Sequence, residues 1–171
     1  MDTVVTKNSI SQLLQRSHSK WVTRERPKID RIACPWLIRR FIDAQAQFLY
    51  VPAAEVRAVA AAEQAIPYDV PDVQFSHRGE LCSFDAFIAD FALDDPALAD
   101  LALIVRGADT GKLALTPQSP GLLAVSLGLS LNYADDHAML EQGMVVYDAL
   151  YAWIRSARGK ARDAGPVTKR A

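Results

Sequence analysis

At 171 residues, half of them hydrophobic and 23% charged, the chain can bury one core and is too apolar to be disordered. Its 19 Lys and Arg nearly cancel 20 Asp and Glu, so no bulk charge is available to hold nucleic acid or an anionic membrane. No apolar run approaches the roughly 20 residues that span a bilayer, and Met1 to Lys20 lacks the apolar middle of a secretory signal. The cytoplasm is the expected compartment, where Cys34 and Cys82, which match no zinc-finger spacing, are expected as free thiols.

In chain order, residues 1–20 read as a leader of uncertain order, 21–157 as the body, and 158–171 as a basic tail expected to fray. Trp21 to Arg24 has the pattern of a short strand. A helix is expected within Asp30 to Asp43, where Ile32, Trp36, Leu37, Arg40 and Phe41 fall at helical spacing. Proline suits the first helical position, so the main helix is expected to begin at Pro35 with Cys34 as its cap. Gln47 to Val51 is a second strand, and Ala53 to Ala65 is a helix by propensity. Ile66 to Val70 and Val73 to His77 read as two more strands, the latter by its alternation of apolar and polar residues.

From Ser83 onward the periodicity is helical. Phe84, Phe87, Ile88 and Phe91 make one apolar face, and Leu98, Leu101, Ala102 and Val105 make another, with Gly107 as a stop signal. Leu122 to Leu131 is apolar nearly all round and reads as a buried helix. The last helix is expected from Asp135 to Arg155, with a stripe of Leu140, Met144, Tyr147, Tyr151 and Ile154. The fold class is α+β, predominantly helical, with a small β part in the first half and a helical second half.

Three groups of residues could carry chemistry. His77 and Glu80 flank a glycine turn between an expected strand and helix, and an imidazole with a carboxylate suits zinc, iron or manganese. Asp30 and Asp109, also at element ends, would complete a carboxylate-rich shell. His77 also reads as a hydrogen-bonded core histidine, and Glu80 and Asp85 as acids that complement the amino end of the next helix. Cys34, at a helix amino end near Lys28 and Arg31, would ionise easily and act as a reactive thiolate; its bland reading is a small buried core residue. Lys28, Arg31, Arg78 and Arg106 could donate charge-assisted hydrogen bonds to a tetrahedral dianion, or could be solvated cations. Asp135 and Asp136 read as helix-start residues and His137 as solvated. Phosphate-loop, dinucleotide, nucleophile-elbow and zinc-helix signatures are missing from the sequence.

The segment Arg26-Pro-Lys-Ile-Asp-Arg-Ile-Ala-Cys-Pro-Trp-Leu-Ile-Arg-Arg-Phe-Ile-Asp43 closely resembles the opening motif of the ChrB C-terminal-domain family. Further blocks agree in order: Phe48 to Pro52, Ile66 to Asp69, Ser76 to Glu80, Cys82 to Asp85, Val105 to Asp109, Pro120 to Leu122 and Tyr147 to Tyr151. The resemblance covers the body of the chain. It implies an association with bacterial chromate resistance beside a chromate efflux transporter. The full-length relative carries an additional amino-terminal region and is described as a chromate-sensing regulator, and some relatives carry a rhodanese-like domain. This chain is expected to lack both regions.

Two functions follow as expectations. One is a metal-binding pocket that binds or reduces chromate or a related oxyanion, with Cys34 as the catalytic thiol, making the chain a metal-dependent oxidoreductase. The other is a non-enzymatic sensor or interaction module. A homodimer through the helical half is also expected, since core and interface show the same apolar stripe.

Overall fold

In the computed structural model, residues 18–163 are described. The expected leader falls almost wholly outside this range, as do residues 164–171 of the expected tail.

Three parallel strands form the sheet, in the order β2-β1-β3. The central strand β1 (Lys20–Arg24) pairs along its whole length with β2 (Gln47–Val51), and through Trp21 and Val22 with the two-residue β3 (Ile66–Pro67). Alternation along β1 sends its side chains to opposite faces. Trp21 enters the main core, whereas Val22 joins a small cluster with Val56, Ala65 and Val70. Burial on both faces is what a parallel sheet requires, and it explains why Trp21, Val22 and Thr23 are all fully buried.

The crossover from β1 to β2 is helix α1 (Asp30–Phe41), and the crossover from β2 to β3 is a 3-10 turn followed by α2 (Val56–Glu63). Helix α1 begins at Asp30 and not at Pro35, a correction to the sequence reading. Pro35 lies inside it and cannot donate to the carbonyl of Arg31. That orphaned oxygen instead accepts from the hydroxyl of Tyr50 at 2.8 Å and faces that of Tyr68 at 3.5 Å. Two tyrosines from the sheet thus replace one helical bond, and Cys34 sits in the helix interior, fully buried.

The expected strand Val73 to His77 is also corrected. Only Phe75 pairs, in a bridge with Tyr68, and its carbonyl accepts from the Asp69 N–H at 2.8 Å. Positive φ values at Asp69 (50°) and Asp72 (58°) fold the intervening chain into a tight loop instead of a strand. Phe75 anchors that loop by stacking on Phe87 at 4.4 Å.

Four helices complete the domain: α3 (Ser83–Asp90), α4 (Pro96–Asp109), α5 (Ser119–Asn132) and α6 (Asp136–Asp163). Gly107 does not stop α4. It lets α5 approach, since a Cβ there would meet the Ser119 Oγ at 2.3 Å. The inner face of α5 is narrow, with Ser119, Leu122 and Ser126 buried. Val125, Leu127 and Leu131 are exposed, so α5 is not the buried helix its composition suggested. Helix α6 runs past the expected end at Arg155, through the first residues of the expected tail. The Asp148 carboxylate of α6 ties it to α1, accepting from Trp36 Nε1 at 2.7 Å and from Arg40. Among the described residues no helix is long and apolar enough to cross a membrane.

The tyrosine repair of α1 is testable by a double-mutant cycle. Tyr50→Phe should cost about 1 kcal/mol in urea unfolding, the ordinary worth of a hydrogen bond. In a Pro35→Ala background the restored amide can serve Arg31, and the same change should then cost much less. Equal costs in both backgrounds would mean that the tyrosine bond does not substitute for the missing helical one.

Candidate metal centre

Four side chains meet at the carboxyl edge of the sheet, each from the end of an element or a connecting loop. Asp30 is the first residue of α1, Asp109 the last of α4, Asp69 follows β3, and His77 precedes α3. His77 Nε2 lies 3.0 Å from Asp109 Oδ2, 3.5 Å from Asp69 Oδ1 and 3.6 Å from Asp30 Oδ2. One ligand atom each from Asp30, Asp69 and His77 falls within 4.8 Å of the others, a spacing that could hold a metal ion.

Local structure positions these groups. Ser83, at the start of α3, donates its backbone N–H to Asp30 Oδ2 at 2.6 Å and its hydroxyl to Asp69 Oδ1 at 2.7 Å. Arg24 donates to both the carbonyl and Oδ2 of Asp69, and Arg31 Nε lies 3.5 Å from the same Oδ2. The residue before Asp30 is strained: Ile29 has a φ of 33°, rare for a β-branched side chain. Asp69 has a positive φ as well, and such strain gathers at functional sites. Asp30 is fully buried, and its Oδ1 has no hydrogen-bond partner among the described residues.

The electrostatics reflect three carboxylates crowded around one imidazole. Burial, then the neighbouring Asp109 and Asp69 charges, push the Asp30 carboxyl well above the usual range. Burial and Asp69 raise Asp109 as well. Burial also opposes ionisation of Asp69, but bonds from His77 and Ser83, with Arg24 and Arg31 nearby, leave it lowered. His77 is raised to about 9, first by its contact with Asp69, then by Asp109 and Asp30. Its closest approach is to Asp109 and not to Asp69, so the lift belongs to the cluster as a whole. The imidazolium stands where a metal cation would satisfy the same acids.

The sequence-derived site residues are thus divided. His77, Asp30 and Asp109 come together. Glu80 does not, for it is 85% exposed and pairs with Lys112 at 2.7 Å. Arg31 lies beside Asp69, but Arg78 is bound to Asp90 and Arg106 clamps Asp85 through two bonds of 2.9 and 2.6 Å. Lys28 is exposed. The reading of Cys34 as a helix-cap thiolate is corrected: burial, followed by Asp30 and Asp69, raises its thiol well above the ordinary value. Burial, Asp30 and Asp85 raise Cys82 likewise.

Asp69 and Arg24 were missed. Both lie at or just beyond the carboxyl ends of parallel strands, where open parallel sheets place ligands, and that rule could have flagged them. A cleft of about 510 Å³ opens there. It is lined by the charged groups of Arg24, Asp69 and His77 and by the apolar Val70, Pro71 and Val73. Arg24 Nε is buried with no hydrogen-bond partner among the described residues.

A mainly helical α+β domain with three aspartates and a histidine converging beside a sheet-edge cleft is a candidate metal-binding domain. Residues 21–154 match the family described as ChrB, C-terminal domain. A relative named Protein ChrB, from Cupriavidus metallidurans, is 36% identical over 140 residues, covering 81% of this chain and 42% of that one. The chain belongs to the ChrB C-terminal-domain family, the chromate-resistance-associated family whose motifs its sequence carries. It spans less than half the length of that relative. No solved structure matches it.

The raised groups set a pH dependence for the metal-free protein. His77 is protonated more readily folded than unfolded, so its stabilising contribution is complete below about 6.5 and is lost as pH rises through about 9. Asp30 and Asp109, raised as well, act in the same direction. Thermal unfolding in the presence of a chelator should therefore show a falling midpoint from pH 6.5 to 9.5, and His77→Asn should flatten the fall. A parent curve already flat in that window would contradict the assignment.

Proposed function

We propose that this domain binds one divalent metal ion through Asp30, Asp69, His77 and Asp109, and that the loaded site takes chromate or a related tetrahedral oxyanion from the adjoining cleft. The observation that carries the reading is Asp30: a carboxylate with no exposure and a free Oδ1, facing two more acids. A buried charge without compensation is costly, and a cation removes that cost. Three hard oxygen donors and one imidazole favour manganese or iron(II) over the softer alternatives, with zinc as the remaining candidate.

A bound dication would hold all three acids ionised and His77 neutral. With the guanidinium groups of Arg24 and Arg31 the loaded set would then carry one net positive charge, which suits an oxyanion. The metal would polarise the anion as a Lewis acid, and the part-exposed Arg24 guanidinium, which lines the cleft, could donate to it.

Binding is favoured over reduction. Both thiols are buried and raised, so neither is poised as an electron donor. A chromate-responsive module operating beside an efflux system fits this better than an oxidoreductase.

Metal-free protein prepared without a histidine tag should take up about one equivalent of Mn²⁺ by equilibrium dialysis, releasing protons because the imidazole must be neutral to coordinate. His77→Ala and Asp30→Asn should abolish the uptake. Asp30→Asn should also raise the stability of the metal-free protein as pH rises and the raised carboxyl would otherwise ionise in the interior. In calorimetry the loaded protein should bind chromate and sulfate, the metal-free protein neither, and Arg24→Gln should weaken both by about tenfold. The chromate absorbance should persist. Metal uptake below about a tenth of an equivalent, unaltered by His77→Ala, would remove the proposal.

A further inference from the structure

We infer that the oxyanion taken by this cleft is the head group of an organic oxyacid with a single anionic end and an apolar body. The inference rests on the metal-and-oxyanion reading above and adds to it the class of ligand.

Size is the first argument. A bare tetrahedral oxyanion fills the space of only a few waters, each about 30 Å³. The cleft holds about 510 Å³, within the roughly 300–1,000 Å³ of clefts that take organic ligands. Most of its space is unused by an inorganic dianion seated against Arg24, Asp69 and His77.

The chemistry of the remaining wall is the second argument. Beside Asp72 and Ser76 it carries Val70, Pro71 and Val73, with Pro71 and Val73 the more exposed of the three, and nothing in the recognition of an inorganic anion calls for apolar residues there. Nor is the wall a loose strand of surface. Val70 is only 7% exposed and belongs to the small core cluster beneath α2, against which Val73 packs. The positive φ values of Asp69 and Asp72 bend the loop sharply at both ends of the Val70–Pro71 pair. The Pro71 carbonyl accepts from Arg57 of α2 at 3.2 Å. A wall held from three sides is preformed, so a ligand that covers it gains burial without having to order it.

Charge limits the class further. Asp72 also lines the cleft and is 91% exposed, with Arg57 no nearer than 4.0 Å. A carboxylate at that position repels a second anionic group on the ligand while leaving a neutral body unaffected. The geometry therefore selects phosphate- or carboxylate-type monoacids bearing an aromatic or branched apolar group.

Mn²⁺-loaded protein titrated with inorganic phosphate, phenyl phosphate and 4-carboxyphenyl phosphate tests this directly. Phenyl phosphate should bind about tenfold more tightly than phosphate, as burial of a ring against an apolar wall implies, and the added carboxylate should cancel most of that gain. Val73→Asn, which adds no charge, should erase the preference for phenyl phosphate while leaving Mn²⁺ uptake in place. The near-isosteric Val73→Thr should reduce the preference and keeps the test open if Val73→Asn does not fold. Equal binding of phosphate and phenyl phosphate would overturn the inference and leave the metal-and-oxyanion reading standing. Mn²⁺ uptake with no binding of any of the three would overturn both the oxyanion reading and this inference.

Discussion

A carboxylate buried without full compensation organises this domain. Asp30 sits at the start of α1 with no solvent exposure, and one of its oxygens has no hydrogen-bond partner among the described residues. The penalty for such a group in real proteins is several kcal/mol, so the chain must contain features that hold it there. The strained Ile29 sets the entry into α1, the Ser83 N–H at the head of α3 meets Oδ2, and His77 offers a positive charge at 3.6 Å. Removing any one of these leaves the acid worse placed. A stability-driven core would put an apolar residue at that position; a ligand site has reason to keep an acid there.

The same constraint explains why the site lies where sheet and helices join. Parallel strands feeding helices converge their carboxyl ends on one edge, and the backbone ends there leave polar groups free to meet a ligand. Asp69 and Arg24 come from strand ends, Asp30 and Asp109 from helix ends, and His77 from the loop that follows the Phe75 anchor. Burial first, and then the neighbouring carboxylates, raise the thiols of Cys34 and Cys82. The cleft thus brings acids, an imidazole, a guanidinium and apolar side chains together within one loop-and-edge region.

Much of this was legible in the sequence where one short-range signal dominates. Trp21 to Arg24, Gln47 to Val51 and the helices after Ser83 followed their periodicity, and the mainly helical α+β class followed from them. Pro35 was misleading because its cost is normally decisive inside a helix; here Tyr50 and Tyr68, distant in sequence, supply the missing partner, and no local pattern announces that. Val73 to His77 alternated as a strand does, but the chain enters it through left-handed turns at Asp69 and Asp72, and only Phe75 finds a partner, in Tyr68. For the site, Asp30, His77 and Asp109 stood at recognisable element ends. Glu80 was read as a ligand on the strength of its closeness to His77 in sequence, and Asp69 was not weighed. Ligand shells are assembled by tertiary convergence, and Asp69 reaches the imidazole across the sheet edge while Glu80 turns out to solvent towards Lys112.

The central claim is that Asp30, Asp69, His77 and Asp109 are ligands of one ion. Anomalous diffraction from a crystal of the domain grown with Mn²⁺ tests it most directly. The account requires a single strong peak among these four side chains, with Asp30 Oδ1 or Oδ2 and His77 Nε2 at bonding distance and the Lys112–Glu80 pair untouched. Full diffraction from Mn²⁺-soaked crystals with no peak there, or with the peak on exposed acids elsewhere, would contradict it.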